Sequence, residues 1–326
     1  MRDNYWSFVK CIAIIAVVCI HTPYMSSNVY TGIVLRQFVA FGVALFVFLS
    51  GYFVKDGTLT WKGVRRLLIP YLVWSALWFA ETTVTGSQPV STWKIVNSLF
   101  LGGAFFPLYF LAVLIQLKLL TPLLYKRIHK NGYKWYKDWL WLITPIYVAG
   151  LYLWQIHTGE QPLVYAQIFP AWILFYYFGM YLKKCPFQNT VTPIDIVLLL
   201  GSLYLSIGEA TYINDVLDIP FFAASQIKFS TFIYAIILCI LVVRMHTNVR
   251  SSVLTHIGEA SFGIYIIHIP VKMGVEKAMN YLPSFFHEGM LNQCCVVFIT
   301  VALCYLIISV CDKVLPKKYV LYIGLK

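Results

Sequence analysis

Ten apolar runs of about 20 residues recur along this chain of 326 residues, and no water-soluble fold has a core able to hide them all. Their limits are near 6–24, 33–54, 67–84, 104–124, 138–156, 165–182, 193–208, 220–243, 258–275 and 290–311, with 193–208 the shortest. A helix of that length spans the ~30 Å hydrocarbon core of a bilayer at ~1.5 Å per residue. The expected fold is therefore all-α: a polytopic membrane protein with about ten transmembrane helices in one bundle. A single domain over 1–326 with no attached soluble domain is expected. Composition agrees, since 60% of residues are hydrophobic and 12% charged, against ~45–50% and ~25% in soluble domains. The semi-apolar stretch 86–103, broken by Pro89 and Gly102-Gly103, is a candidate re-entrant or interfacial piece. The first run lacks a small-residue cleavage site and counts as a span, not a signal peptide.

A net charge of +12 would suit a nucleic-acid partner, but its distribution reads as membrane orientation. With a cytoplasmic N-terminus, eighteen of the 25 Lys and Arg residues fall in cytoplasmic loops and tails, among them Lys55, Arg127, Lys130, Arg250 and Lys313. Lys94, Lys272 and Lys277 alone face the other side, beside acids such as Glu160 and Asp215. That asymmetry is the positive-inside pattern and puts both termini in the cytoplasm. Nucleic acid is excluded as a first reading. The eight cysteines show no CxxC or Cys/His spacing, so neither a metal site nor a disulfide framework is expected.

Four cations remain inside the predicted spans: Lys10, Arg36, Lys118 and Lys228. Each costs ~2.5–3.5 kcal/mol at bilayer depth unless it finds a partner or a wet cavity. Lys10 and His21 are 11 residues apart, which closes to within ~20° on a helix and ~16 Å along its axis. One face of the first helix thus carries a cation near one membrane surface and an imidazole near the other. The alternative is a snorkelling lysine and an interfacial histidine before the Thr22-Pro23 turn. In Phe46-Val47-Phe48-Leu49-Ser50-Gly51, Gly51 permits close backbone approach and Ser50 can bond a ligand or another helix; equally, the pair can simply pack or end a helix. Lys62, Arg65 and Arg66 stand directly before an apolar run, where they can clamp phosphates or anchor topology. Ser261, Tyr265 and His268 recur at i, i+4 and i+7 on one helix face, at a depth comparable with His21. For His268, a satisfied structural role is the default reading.

In this order, these motifs resemble the acyltransferase-3 family, membrane enzymes that O-acylate bacterial surface polysaccharides. The resemblance covers almost the whole chain. Lys10-x10-His21 matches the family's basic-residue-to-histidine spacing in helix one. Phe46–Gly51 matches its aromatic Ser-Gly segment, with Val47 where a second Phe is common. Lys62, Arg65, Arg66, Pro70 and Tyr71 stand for its Arg-x-x-Arg and Pro-Tyr stretch. Pro107–Leu111 resembles a Trp-Phe-Leu segment with Tyr109 in place of Trp, and Ser261–Pro270 its penultimate helix.

The resemblance implies an O-acyltransferase of the acetyl-CoA type in the bacterial cytoplasmic membrane. It would move a short acyl group, acetyl first among them, from cytosolic acyl-CoA to a hydroxyl of a surface glycan or lipid-linked sugar. His21 would be the general base, with Lys10 lining the entry. Ser50, Tyr265 or a protonated neighbour would steady the oxyanion, His268 would count among the catalytic residues, and Lys62, Arg65 and Arg66 would hold the CoA phosphates. The ~16 Å from Lys10 to His21 suits a pantetheine arm. Direct transfer and a transient acyl-histidine both fit. The expected partners are acyl-CoA, the sugar acceptor and membrane lipids, with no metal. The rival reading is a transporter or flippase for a polar or lipid-linked solute, using the same buried charges; the inverted repeats it predicts are not visible.

Overall fold

The computed structural model describes residues 3–22, 29–85, 91–102, 106–132, 134–162, 164–184, 190–283 and 289–325. Pro23, Pro89 and Gly103 lie outside them. Among the described residues the secondary structure is helical, with no strand. The helices are α1 (Asn4–Ile20), α2 (Val29–Val39), α3 (Gly42–Tyr52), α4 (Trp61–Val84), α5 (Thr92–Phe100), α6 (Tyr109–Lys130), α7 (Ile143–Thr158) and α8 (Ile173–Lys184). They continue with α9 (Pro193–Asp215), α10 (Pro220–Ala223), α11 (Phe229–Arg244), α12 (Val253–Glu259), α13 (Ser261–Met279), α14 (Gly289–Val314) and α15 (Lys317–Tyr322).

Among the described residues, six helical stretches are long and apolar enough to cross a membrane: Val29–Tyr52 (α2 with α3), α4, α6, Trp139–Thr158 leading into α7, α9 and α14. Helices α1 and α11 are apolar but shorter, at 17 and 16 residues. Helix α13 has 19 residues and carries Lys272, Glu276 and Lys277 in its second half. Helix α5 has nine residues, too few to span.

Several runs differ from their expected limits: 33–54, 220–243 and 258–275 are each interrupted, between α2 and α3, α10 and α11, and α12 and α13, and two others differ for reasons visible in their hydrogen bonds. The shortest, 193–208, is part of a 23-residue helix that starts with a Thr192/Asp195 capping box and Pro193. It continues past Glu209 because that carboxylate accepts the Ser230 N–H at 3.2 Å. The run 165–182 is not one helix. It bends through a 3-10 turn at Phe169–Ala171 before the 12-residue α8. Side chains satisfy its irregular backbone: Gln167 Oε1 accepts the N–H groups of Tyr165 and Ala166, at 2.8 and 3.0 Å. Gln116 accepts from Phe169 N–H at 2.8 Å, and Trp172 Nε1 donates to the Ala166 carbonyl at 2.8 Å. Only with such partners can non-helical backbone survive away from water.

The chain divides into two compact units. One comprises Met1–Phe46, Phe187–Val314 and Leu325–Lys326; the other Val47–Pro186 and Leu315–Gly324. In the first, α1 packs on α2, α12, α13 and α14, and α9 on α2, α10 and α11. In the second, α4 packs on α5, α6 and α15, and α8 on α6 and α7.

Glycines set the closest approaches within each unit. A Cβ on Gly258 of α12 would strike the Ser7 carbonyl of α1. In the second unit the contact is reciprocal, since a Cβ on Gly51 would strike the Tyr176 carbonyl of α8 and one on Gly179 the Phe48 carbonyl. Gly51 therefore serves helix packing, through bare backbone faces of the kind that lets apolar helices associate. Enlarging it to Leu forces the helices apart, at about 1–3 kcal/mol for overpacking. Gly51→Leu and Gly179→Leu are each expected to lower the thermal unfolding midpoint in detergent, whereas Gly150→Leu, where an added Cβ meets nothing within 4 Å, should leave it unchanged.

Candidate functional site

Helix α1 begins at Asp3, whose carboxylate accepts the Tyr5 N–H at 3.1 Å, and continues on apolar residues to Ile20. His21 is its C-cap, with φ −91° and ψ 0°, and its N–H reaches the carbonyls of Val18 (3.1 Å) and Val17 (3.3 Å). The next residue closes the helix, since the Thr22 hydroxyl donates to the Val18 carbonyl at 2.9 Å. Two other helices grip the same end. Gln293 of α14 donates to the Thr22 carbonyl at 3.0 Å, and the Arg36 guanidinium of α2 donates to the Ile20 carbonyl. A helix ends in unpaired carbonyls with partial negative charge, so a cation there is doubly favoured. His21 is thus held by the carbonyls on either side of it.

Helix α13 brings the second imidazole. Ser261, Tyr265 and His268 are all buried, His268 completely. The His21 and His268 ring centroids are 5.2 Å apart with an interplanar angle of 46°, and Tyr265 lies 5.7 Å from His268. His268 Nδ1 is 2.6 Å from the Tyr265 carbonyl. A carbonyl only accepts, so in the neutral ring Nδ1 carries the proton and Nε2 presents a lone pair. That Nε2 is buried and has no hydrogen-bond partner among the described residues. One turn further along α13, Lys272 donates to Glu276 at 2.7 Å.

The remaining buried cation supports this arrangement from the residue just before α11. Lys228, fully buried, donates to Gln37 Oε1 (3.0 Å), the Ala223 carbonyl (2.8 Å) and the Ser225 carbonyl (2.7 Å), which uses all three ammonium protons. Gln37 Nε2 also donates to the Ala223 carbonyl at 3.2 Å, and Ser206 to Gln37 Oε1 at 3.0 Å. Arg36 Nε takes the Ala224 carbonyl at 3.1 Å. The turn after α10 thus gives three successive carbonyls to side chains on α2 and just before α11, and Arg36 ties that turn to the end of α1.

Of the residues singled out in the sequence, His21, Tyr265 and His268 come together in the first unit. Lys10 belongs to it too, half-buried on α1. Ser50, half-buried on α3, and Lys62, Arg65 and Arg66, exposed on the first turns of α4, belong to the second unit. There Tyr71 accepts the Gly102 N–H at 2.9 Å. Gly102, at φ +74°, presses on the Tyr109 backbone, so Tyr71 and Tyr109 share one loop contact. Among the described residues, Lys62, Arg65 and Arg66 make no ion pair or hydrogen bond; three unneutralised cations are a donor set that fits phosphate. Nothing in the sequence around Arg36, Gln37 and Gln293 gives them a role in the site. The one available signal was the cost of a charge inside an apolar run.

The helices and the paired imidazoles define a multi-pass membrane protein with a histidine site within its helical bundle. The match to the family model described as an acyltransferase domain covers residues 3–309. The chain belongs to the acyltransferase-3 family and is a membrane acyltransferase. No curated protein and no solved structure matches it.

Lys228→Met should be strongly destabilising, because it removes three charge-assisted hydrogen bonds from a dry site, leaving Gln37 Oε1 and the Ala223 carbonyl with neutral donors and taking the Lys228 donor from the Ser225 carbonyl. At ~1.5–3 kcal/mol per bond to a charged group, less what the partners regain, the loss is on the order of 3 kcal/mol. Thermal unfolding in detergent, compared with Lys272→Met at a half-paired site, measures it.

Proposed function

We propose that the chain transfers a short acyl group, acetyl in the first instance, from cytosolic acyl-CoA to a hydroxyl of a cell-surface glycan or lipid-linked sugar. The reading places it in the cytoplasmic membrane of a bacterium with both termini inside, and the strong bias of Lys and Arg to one set of loops supports that orientation. The observation that carries the proposal is the His21–His268 pair, with its end-of-helix clamp and the unpartnered Nε2 of His268.

In this mechanism His21 takes the proton of the acceptor hydroxyl as the oxygen attacks the thioester carbonyl. The C–O bond forms, the C–S bond breaks, and the proton held by His21 passes to the departing thiolate. His268 Nε2 is an acceptor with no hydrogen-bond partner among the described residues, and it orients the hydroxyl or the His21 ring. Tyr265 and Ser50 are the candidates to steady negative charge on the thioester oxygen, and Lys10 lines the way in. Lys62, Arg65 and Arg66 take the CoA phosphates, a task suited to guanidinium groups. The neighbouring carbonyl clamps keep the imidazole from drifting, and small displacements are costly to such reactions.

Purified protein incubated with labelled acetyl-CoA and a glycan acceptor is expected to transfer or hydrolyse the label. His21→Ala should lose at least ~10²-fold in rate while inserting and purifying normally, the range of general-base contributions. Full activity in that variant removes the base. The double variant Arg65→Ala/Arg66→Ala should weaken acetyl-CoA binding by about tenfold or more; unchanged affinity returns these residues to topology anchoring.

A further inference from the structure

Lys118 is the one in-span cation that the histidine site does not absorb. It lies on α6 and its chain is laid across the first turn of α4. The position a Cβ would take on Gly63 is 3.2 Å from Lys118 Cε and 3.4 Å from its Nζ. Gly63 thus leaves the seat in which the ammonium rests. The approach is fixed from both sides, because Gly57, at φ +69° in the loop before α4, sits against the Tyr125 ring of α6. Tyr125 in turn stacks on His129 with centroids 4.2 Å apart.

The charge that acts on that ammonium is also positive. Arg66, one turn beyond Gly63 on α4, acts on Lys118 electrostatically as a like charge, and Lys62 precedes Gly63 directly. Among the described residues Lys118 makes no hydrogen bond or ion pair, nor do Lys62, Arg65 and Arg66. Thr60, the N-cap of α4, makes no side-chain cap bond either. Lys228 shows how this protein treats a buried cation that is structural, giving it three acceptors. A half-buried ammonium pressed toward a guanidinium with no acceptor is the opposite arrangement. A half-buried ammonium held near an exposed guanidinium costs free energy that an anion joining the two removes.

We propose that Lys118, with Arg66 and Lys62 around the open face of Gly63, forms a phosphate-binding site on the second unit. The phosphate belongs either to acyl-CoA or to the headgroup of an anionic lipid. The first source rests on acyl-CoA being the donor, as proposed above; the second does not. Lys118 thereby becomes a fourth member of the cationic cluster on the first turns of α4, contributed by a different helix.

The test uses the full-length protein in nanodiscs. In phosphatidylcholine alone, acetyl-CoA and the phosphate-free S-acetylpantetheine are titrated into wild type, Lys118→Met and Lys118→Arg. The cofactor source predicts an affinity for acetyl-CoA about tenfold lower in Lys118→Met, unchanged affinity for S-acetylpantetheine, and recovery in Lys118→Arg. In mixed phosphatidylglycerol and phosphatidylcholine, native mass spectrometry counts retained lipid. The lipid source predicts that wild type and Lys118→Arg keep a phosphatidylglycerol that Lys118→Met loses. Either result supports the site and names its ligand. Equal binding of both probes by wild type and Lys118→Met overturns it. Should wild type take up no acetyl-CoA at all, the donor reading fails on its own, and phosphatidylglycerol retention alone decides the phosphate site.

Discussion

A charge taken out of water has to be met by the protein itself, and the arrangement around Arg36 and Lys228 answers that demand with backbone carbonyls. Lys228 takes two carbonyls and the Gln37 amide, and Arg36 takes the carbonyls of Ile20 and Ala224. These acceptors lie at the end of α1 and in the turn after α10, where carbonyls are unpaired and carry helix-dipole charge. One interaction therefore neutralises the cost of burying a guanidinium and fixes the segment that bears His21. The imidazole owes its placement to a residue 15 positions along the chain rather than to the helix alone.

The second imidazole follows a different rule. Tyr265 contributes its carbonyl to His268 Nδ1, which sets the tautomer and leaves Nε2 as a lone pair in a dry place beside His21. Native proteins rarely leave such an atom unmatched, and in a membrane acyltransferase a substrate atom is the partner that the proposed mechanism gives it. The Lys62, Arg65, Arg66 and Lys118 set in the other unit carries the same logic in charge form. There the groups without a partner among the described residues are cations, and the partner proposed for them is a phosphate.

Much of this was legible in the sequence. Apolar periodicity located the helices, the 11-residue step tied Lys10 to His21, and the i, i+4, i+7 pattern placed Ser261, Tyr265 and His268 on one buried face of α13. What sequence could not show were contacts between distant segments and bonds to backbone. Nothing local in α2 says that Arg36 will reach the Ile20 carbonyl, because the acceptor has no side-chain identity. The 165–182 run reads as a helix from its apolar residues. It bends because amides from Gln116 and Gln167 capture its backbone, a choice made by tertiary structure. Helix α9 outran its expected end because the Ser230 N–H, 21 residues away, makes Glu209 tolerable. Lys118 looked like a mid-span charge until Gly63 showed which part of α4 it meets.

The central claim is that His21 and His268 act as one site on one transferred group. A double-mutant cycle on acyl transfer, with His21→Ala, His268→Ala and the double variant all shown to be folded, tests it directly. Residues that serve the same step are strongly non-additive, so the double variant should be no slower than the slower single variant. Losses that multiply across the two positions would contradict a shared site and leave His268 as a packing residue.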